Sequence, residues 1–198
     1  MQRTAEINRE TAETQIRLKV NLDGTGKSQI STGIGFFDHM LTLLSRHALI
    51  DLEVDAKGDL EVDYHHTVED TGIVLGTAIR EALGAKEGIT RYGWCYLPMD
   101  ESLARVVLDL GGRPYLVFEA ADGQSVDQIG GKFPFSLVEE FFRALSFNLG
   151  ANLHAHVLYG RDGHHMAEAL FKGLAKALAQ AVAMNPRIEG VMSTKETI

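Results

Sequence analysis

Residues 14–22 (TQIRLKVNL) set Ile16, Leu18, Val20 and Leu22 alternately with polar side chains, the period of a half-buried strand. Asp23-Gly24 follows as a hairpin signal, so a return strand is expected over 29–32. Over 36–47 (FFDHMLTLLSRH) the apolar spacing becomes helical, with Phe37, Met40, Leu41 and Leu44 on one side. Strands over 49–54 and 60–64, joined by a turn at Gly58-Asp59, and a helix over 66–83 that stops at Gly84 complete a first set. A second set repeats the plan: strands over 92–99 and 102–110, a third strand over 113–120 that is extra to it, a helix over 133–149, a strand over 152–159 and an Ala-rich helix over 164–184. The unit reads strand-strand-helix-strand-strand-helix, used twice. Strands grouped ahead of helices predict an α+β fold, a tandem duplication of a half-domain with a four-stranded sheet covered on one face by two helices. The repeats are expected over 1–88 and 89–198, packed as one compact unit. Residues after Pro186 lack any periodicity and would usually be dismissed as frayed, but they are expected to form a substrate-binding tail of the second repeat.

The two expected cluster helices open on the same signature, His-His followed three positions later by Glu: His65, His66, Glu69 and His164, His165, Glu168. On a helix, residues three and four apart share a face, so either histidine can converge with its glutamate. Adjacent histidines lie about 100° apart around the axis and suit two ions better than one. Neither cluster alone closes a six-coordinate site. A single copy on a surface helix would most simply be solvated polar residues; two copies at matched positions favour metal. His39, among Phe36, Phe37, Met40 and Leu41, is a core histidine in the plain account, but its place on the preceding helix favours a ligand. His47 reads equally as a helix-end cap or a site residue. His154 and His156, two apart on a strand, read as structural.

Composition narrows the chemistry. The net charge of −8 and the scatter of basic residues exclude a nucleic-acid face. Cys95 is alone, which removes a disulfide and a thiolate zinc site and leaves imidazole and carboxylate, a donor set suited to Mn²⁺, Fe²⁺ or Zn²⁺. The opening residues are polar and no apolar run is long enough to span a bilayer, so a soluble cytoplasmic protein is expected. Arg91 and Arg113 sit in glycine-bearing, loop-like settings. With Lys172, Ser193 and Lys195 they offer enough donors for a phosphate dianion, although each alone reads as solvated.

The segments TAETQI (11–16), GFFDHML (35–41), GDLEVDYHHTVEDTGIVLG (58–76), PMDESLAR (98–105), GGRP (111–114), HHMAEALFK (164–172) and STK (193–195) together resemble the imidazoleglycerol-phosphate dehydratase family of histidine biosynthesis. The resemblance implies two Mn²⁺ ions per site at a subunit interface, and trimers assembled into a hollow 24-mer. It places metal ligands at His39, His65, His66, Glu69, His164, His165 and Glu168. A further ligand position, often His in the family, falls on Glu140. Substrate-binding positions fall on Glu13, His47, Arg91, Arg113, Lys172, Ser193, Thr194 and Lys195. The family usually continues STK with Gly, whereas this chain has Glu196-Thr197-Ile198. The implied reaction is loss of water from D-erythro-imidazole-glycerol phosphate to give imidazole acetol phosphate. Glu168 is expected to move the proton and Glu13 to hold water that assists loss of hydroxyl. Two other readings of the same residues are a dinuclear metallohydrolase of a phosphate ester and a non-enzymatic metal-binding assembly, the latter disfavoured by the phosphate-type donors.

Overall fold

The computed structural model describes residues 3–120 and 128–197. Its first half runs β1 (Thr4–Glu10), β2 (Thr14–Asn21), β3 (Ser28–Ser31), α1 (Gly35–Ala48), β4 (Asp51–Gly58), α2 (His65–Leu83). The second runs β5 (Tyr92–Met99), β6 (Ser102–Asp109), β7 (Tyr115–Glu119), two short strands β8 (Gln128–Ile129) and β9 (Phe133–Pro134), α3 (Ser136–Leu149), β10 (Asn152–Tyr159), α4 (Gly163–Val182). The sheets have orders β1-β2-β4-β3 and β5-β6-β10-β7, the same topology twice. In each, the last two strands are parallel (β3 with β4, β7 with β10) and the others antiparallel. The fold class and its duplication stand as expected.

The repeat unit is corrected in detail. It is three strands, helix, strand, helix, and β7 is no extra strand but the counterpart of β3. The polar opening segment forms β1; only Ala5 and Ile7 of it pack on the core, too weak an alternation to read. Asp23-Gly24 makes no hairpin. The loop wraps the Asp51 carboxylate, which accepts from Thr25 N at 2.8 Å and Lys27 N at 2.9 Å, and so delivers β3 to the far side of β4. Residues 60–64 form no strand: Val62 N donates to Asp59 O at 2.8 Å in a turn, and Val62 lies 64% exposed. The last strand of the first half runs to Gly58 because Leu49, in the left-handed region at φ 58°, ends α1 and delays it.

The four helices lie between the two sheets and pair across the halves, α2 on α3 and α1 on α4. Two glycines let α2 approach closely. A Cβ at Gly76 would lie 2.6 Å from Leu145 O, and one at Gly72 2.9 Å from Phe141 O. Phe37 of α1, Phe141 and Phe142 of α3 and Phe171 of α4 are fully buried and interlock, with Phe141 5.1 Å from Phe171 and 5.4 Å from Phe37 between ring centroids. One core therefore serves both halves.

The tail is pinned rather than frayed. Gly88 N donates to Gly190 O and Asn185 N to Gly88 O, both at 2.8 Å, and Glu87 bridges Val191. Ile198 and residues 1–2 lie outside the described residues. Among those described, no helix is long and apolar enough to cross a membrane.

Candidate active site

Both histidine pairs sit on the first turn of a helix that an aspartate starts. Asp162 caps α4 by accepting from His164 N at 2.7 Å and His165 N at 3.3 Å, and Asp63 accepts from His65 N at 2.7 Å. Such caps are worth about 1 kcal/mol. The repeated signature is thus Asp-x-His-His-x-x-Glu, and its aspartate was there to be read in the sequence.

On the α1–α4 side, His39, His164 and Glu168 bring three donor atoms within 4.8 Å of one another. His164 Nε2 is 3.3 Å and His39 Nε2 3.6 Å from Glu168 Oε2. Glu168 is buried while both imidazoles are nearly half exposed, so the trio is a cup open to solvent. His39 is no core histidine. Burial pushes the Glu168 carboxyl up, but the hydrogen bond and charge of Lys172, with His39 and His164, outweigh it and leave the group below its ordinary value. His47 stands near Lys172; partial burial and that ammonium hold its imidazole below the usual range. Two imidazoles and one carboxylate with an open side fit a divalent ion that keeps positions for other ligands. Among the described residues no other such trio forms.

On the α2–α3 side, His65 Nε2 lies 3.6 Å from Glu69 Oε2. Glu140 is the fifth residue of 14-residue α3, as His39 is the fifth of 14-residue α1, so the duplication gives it the matching place. Its carboxylate lies 3.5 Å from Arg143 Nε.

The outer histidines of the two pairs are oriented alike. His66 Nδ1 donates to Asp59 at 3.0 Å, with Glu13 Oε1 3.7 Å from Nε2. His165 Nδ1 donates to Glu101 at 2.7 Å, with Asp100 Oδ2 3.9 Å from Nε2. Glu13 and Asp100 occupy corresponding turns, β1–β2 and β5–β6. Asp59, Glu101 and Asp100 have no place in the sequence-derived site; Asp100 and Glu101 carried only the plain sign of acids in PMDES. The Glu101 carboxylate also accepts from Arg161 N, Asp162 N and Ser102 Oγ. Its hydrogen bond to His165, then those to Asp162 and Arg161, hold it far below the ordinary range. The carboxylate partners push His66 and His165 up.

An acid on Nδ1 fixes the ring so that Nε2 is the free donor, and loss of such a partner costs about 10–100-fold in metal affinity. Asp59→Asn and Glu101→Gln should each weaken binding of an added divalent ion by about that factor, read by calorimetry. In metal-free protein the Glu101 contribution is present above 4.5 and lost as pH falls through its lowered pKa. The His165 contribution is complete below 6.5 and lost as pH rises through its raised pKa. The melting-temperature gap between metal-free native protein and Glu101→Gln should therefore be widest between pH 4.5 and 6.5.

The remaining expected residues gather elsewhere. Arg91, Arg113, Ser193, Thr194 and Lys195, with Tyr92, line a 760 Å³ pocket. Arg91 is held by a two-point ion pair to Asp109 (2.6 and 3.0 Å) and donates to Met192 O at 2.7 Å, tying the tail to β6. Its hydrogen bond to Asp109 raises it further, so it is a fixed cation. A 650 Å³ groove on the outer face of the first sheet is lined by Glu6, Lys19 and Glu53 among others and has no histidine.

The site thus joins a carboxylate–histidine cup of the kind that could hold a metal ion with a separate cationic pocket, on a duplicated α+β chain. Comparison with known proteins gives the family. A family model described as imidazoleglycerol-phosphate dehydratase matches residues 32–178. Imidazoleglycerol-phosphate dehydratases of Clostridium acetobutylicum and Azorhizobium caulinodans are 58% and 61% identical over 99% and 98% of this chain, and 98% and 97% of their own. The crystal structure of the Staphylococcus aureus imidazoleglycerol-phosphate dehydratase superimposes with a TM-score of 0.82 at 40% identity, over 92% of this chain and 99% of that one. The Pyrococcus furiosus enzyme, solved in complex with (S)-C348, gives 0.78 at 36% identity, over 97% and 100%. The chain belongs to the imidazoleglycerol-phosphate dehydratase family and is a hydro-lyase.

Proposed function

We propose that the chain dehydrates D-erythro-imidazole-glycerol phosphate to imidazole acetol phosphate, with two Mn²⁺ ions per site, in a homo-oligomer whose sites are shared between copies. The observation that carries this reading is the cup of His39, His164 and Glu168, in a chain of this family. His39, His164 and Glu168 hold one ion; His65, Glu69 and Glu140 supply the matching set for the other, with His66 and His165 reaching between copies. When bound, the ions would ease loss of the ring N–H proton, so that the ring helps to expel the hydroxyl from the carbon that bears it.

The chain's own groups do the rest. Glu168, kept ionised by Lys172, takes the proton from the carbon next to the one that bears the ring. The hydroxyl on the ring-bearing carbon leaves as water, with a proton delivered from water held by Glu13, and the resulting enol ketonises at the next carbon to give the acetol phosphate. Arg91, Arg113, Ser193, Thr194 and Lys195 grip the phosphate, and Lys172 and His47 border the cup. The trimer-based 24-mer is the assembly proposed for this site.

Chelator-stripped protein given Mn²⁺ and imidazole glycerol phosphate should recover turnover to the acetol phosphate without releasing inorganic phosphate. Phosphate release in step with turnover would instead assign a hydrolase.

A further inference from the structure

The two halves share a topology, but the turns that face their outer histidines are braced differently. In the first half, Asp70 follows Glu69 on α2 and is buried. Its carboxylate accepts from Thr14 Oγ1 and lies 2.9 Å from Arg9 Nη2. The Thr14 proton is committed there, so Thr11 Oγ1 donates to Thr14 Oγ1 at 3.3 Å. The same Thr11 oxygen accepts from Glu13 N at 3.1 Å and from Thr14 N at 3.0 Å. Asp59 N donates to Glu13 O at 3.2 Å, and the Asp59 carboxylate holds His66. The Glu13 side chain is 54% exposed, so the turn, not packing, decides where its carboxylate stands beside His66.

In the second half the matching places are apolar. Ala169 follows Glu168 as Asp70 follows Glu69, and Leu97 pairs with Ala104 as Arg9 pairs with Ile16. Ser102, which opens β6 as Thr14 opens β2, donates to Glu101 in its own turn. That half forms the same sheet with Ala and Leu where the first half has an ion pair. The pair is also a poor stabiliser. A buried ion pair often does no more than its apolar replacement, and among the described residues Arg9 Nε is buried with no hydrogen-bond partner. What separates the halves is the residue each turn carries. The first carries Glu13, and the second carries Asp100, which the proposed reaction does not use.

We infer that Asp70 is a positioning residue for Glu13: through Thr14 and Thr11 it fixes the turn that sets the Glu13 carboxylate beside His66. The inference rests on the proposed role of Glu13 in loss of the hydroxyl and names what makes that role possible. Asp70 shares α2 with His65, His66 and Glu69, so it registers Glu13 against the helix that carries those side chains. A displacement of about 1 Å in such an arrangement can cost about 10²-fold in rate.

Arg9→Leu combined with Asp70→Ala writes the second half's own pair into the first, so fold, particle size and metal content should persist. In Mn²⁺-loaded protein, kcat should fall by about 10- to 10²-fold, while KM for imidazole glycerol phosphate stays within about twofold. Amide hydrogen exchange over residues 11–14 should quicken several-fold, with that over 100–102 unchanged. Thr14→Val, which cuts the link and leaves the ion pair, should act alike, and Thr14→Ser should restore turnover. In a Glu13→Gln background neither change should lower kcat further. Native kcat in the paired variant and in Thr14→Val overturns the inference, as does a full further loss in the Glu13→Gln background. Native kcat in Glu13→Gln alone overturns the reading of Glu13 on which the inference rests. If the paired variant does not fold, the Thr14 variants decide.

Discussion

Glu168→Gln should lower turnover by about 10²- to 10⁴-fold, the usual worth of a positioned acid–base group. Glutamine keeps the shape and a carbonyl oxygen for Lys172, so the fold should be unaffected, but it takes no proton. The measurement is steady-state turnover alongside metal content of the same sample. Unchanged turnover with intact metal would remove Glu168 from proton transfer, and lost metal would show that its oxygen near His39 and His164 is needed for binding. The pH profile should not follow this carboxylate near neutrality. Its pKa lies below the ordinary 4.5, so it is already ionised there.

Phe141→Ala should cost about 3–5 kcal/mol, the range for truncating a fully buried phenylalanine. The ring touches aromatic neighbours from α1, α3 and α4, with Phe37 in one half and Phe142 and Phe171 in the other. The loss should therefore appear as one shifted transition in denaturant, with no separate early melting of either sheet. Phe147→Ala, at a position 53% exposed, should change little and serves as the control. A loss below about 1 kcal/mol at Phe141 would mean that the cavity collapses, and that the halves are joined less tightly than their burial implies.

The sequence made the amphipathic elements legible because each has a clean buried side. The apolar spacing of α1 and the alternation of β2 map directly onto buried positions. It failed where local pattern and tertiary partner disagree. Leu60, Val62 and Tyr64 alternate like a strand, but no neighbouring strand takes up their backbone, and the segment is a turn. The Asp23-Gly24 signal was overridden by the carboxylate of Asp51, 27 residues from Gly24 in the chain. In the site, the histidines and glutamates announced themselves by repetition. Asp59 and Glu101 did not, because their counterparts are not written at matching places. One follows a strand and the other sits in a hairpin turn, and only the fold shows that both do the same work on a histidine.

Gly88 lies in the short segment that joins the two halves, with φ at 70°, and its amide and carbonyl both clasp the tail. Three residues beyond Gly190 begins the Ser193–Lys195 wall of the cationic pocket, itself latched to Arg91 through Met192. The joint between halves and the grip on the anion are thus one mechanical linkage. A small rotation of one half against the other would move the wall of the pocket before it disturbed either sheet.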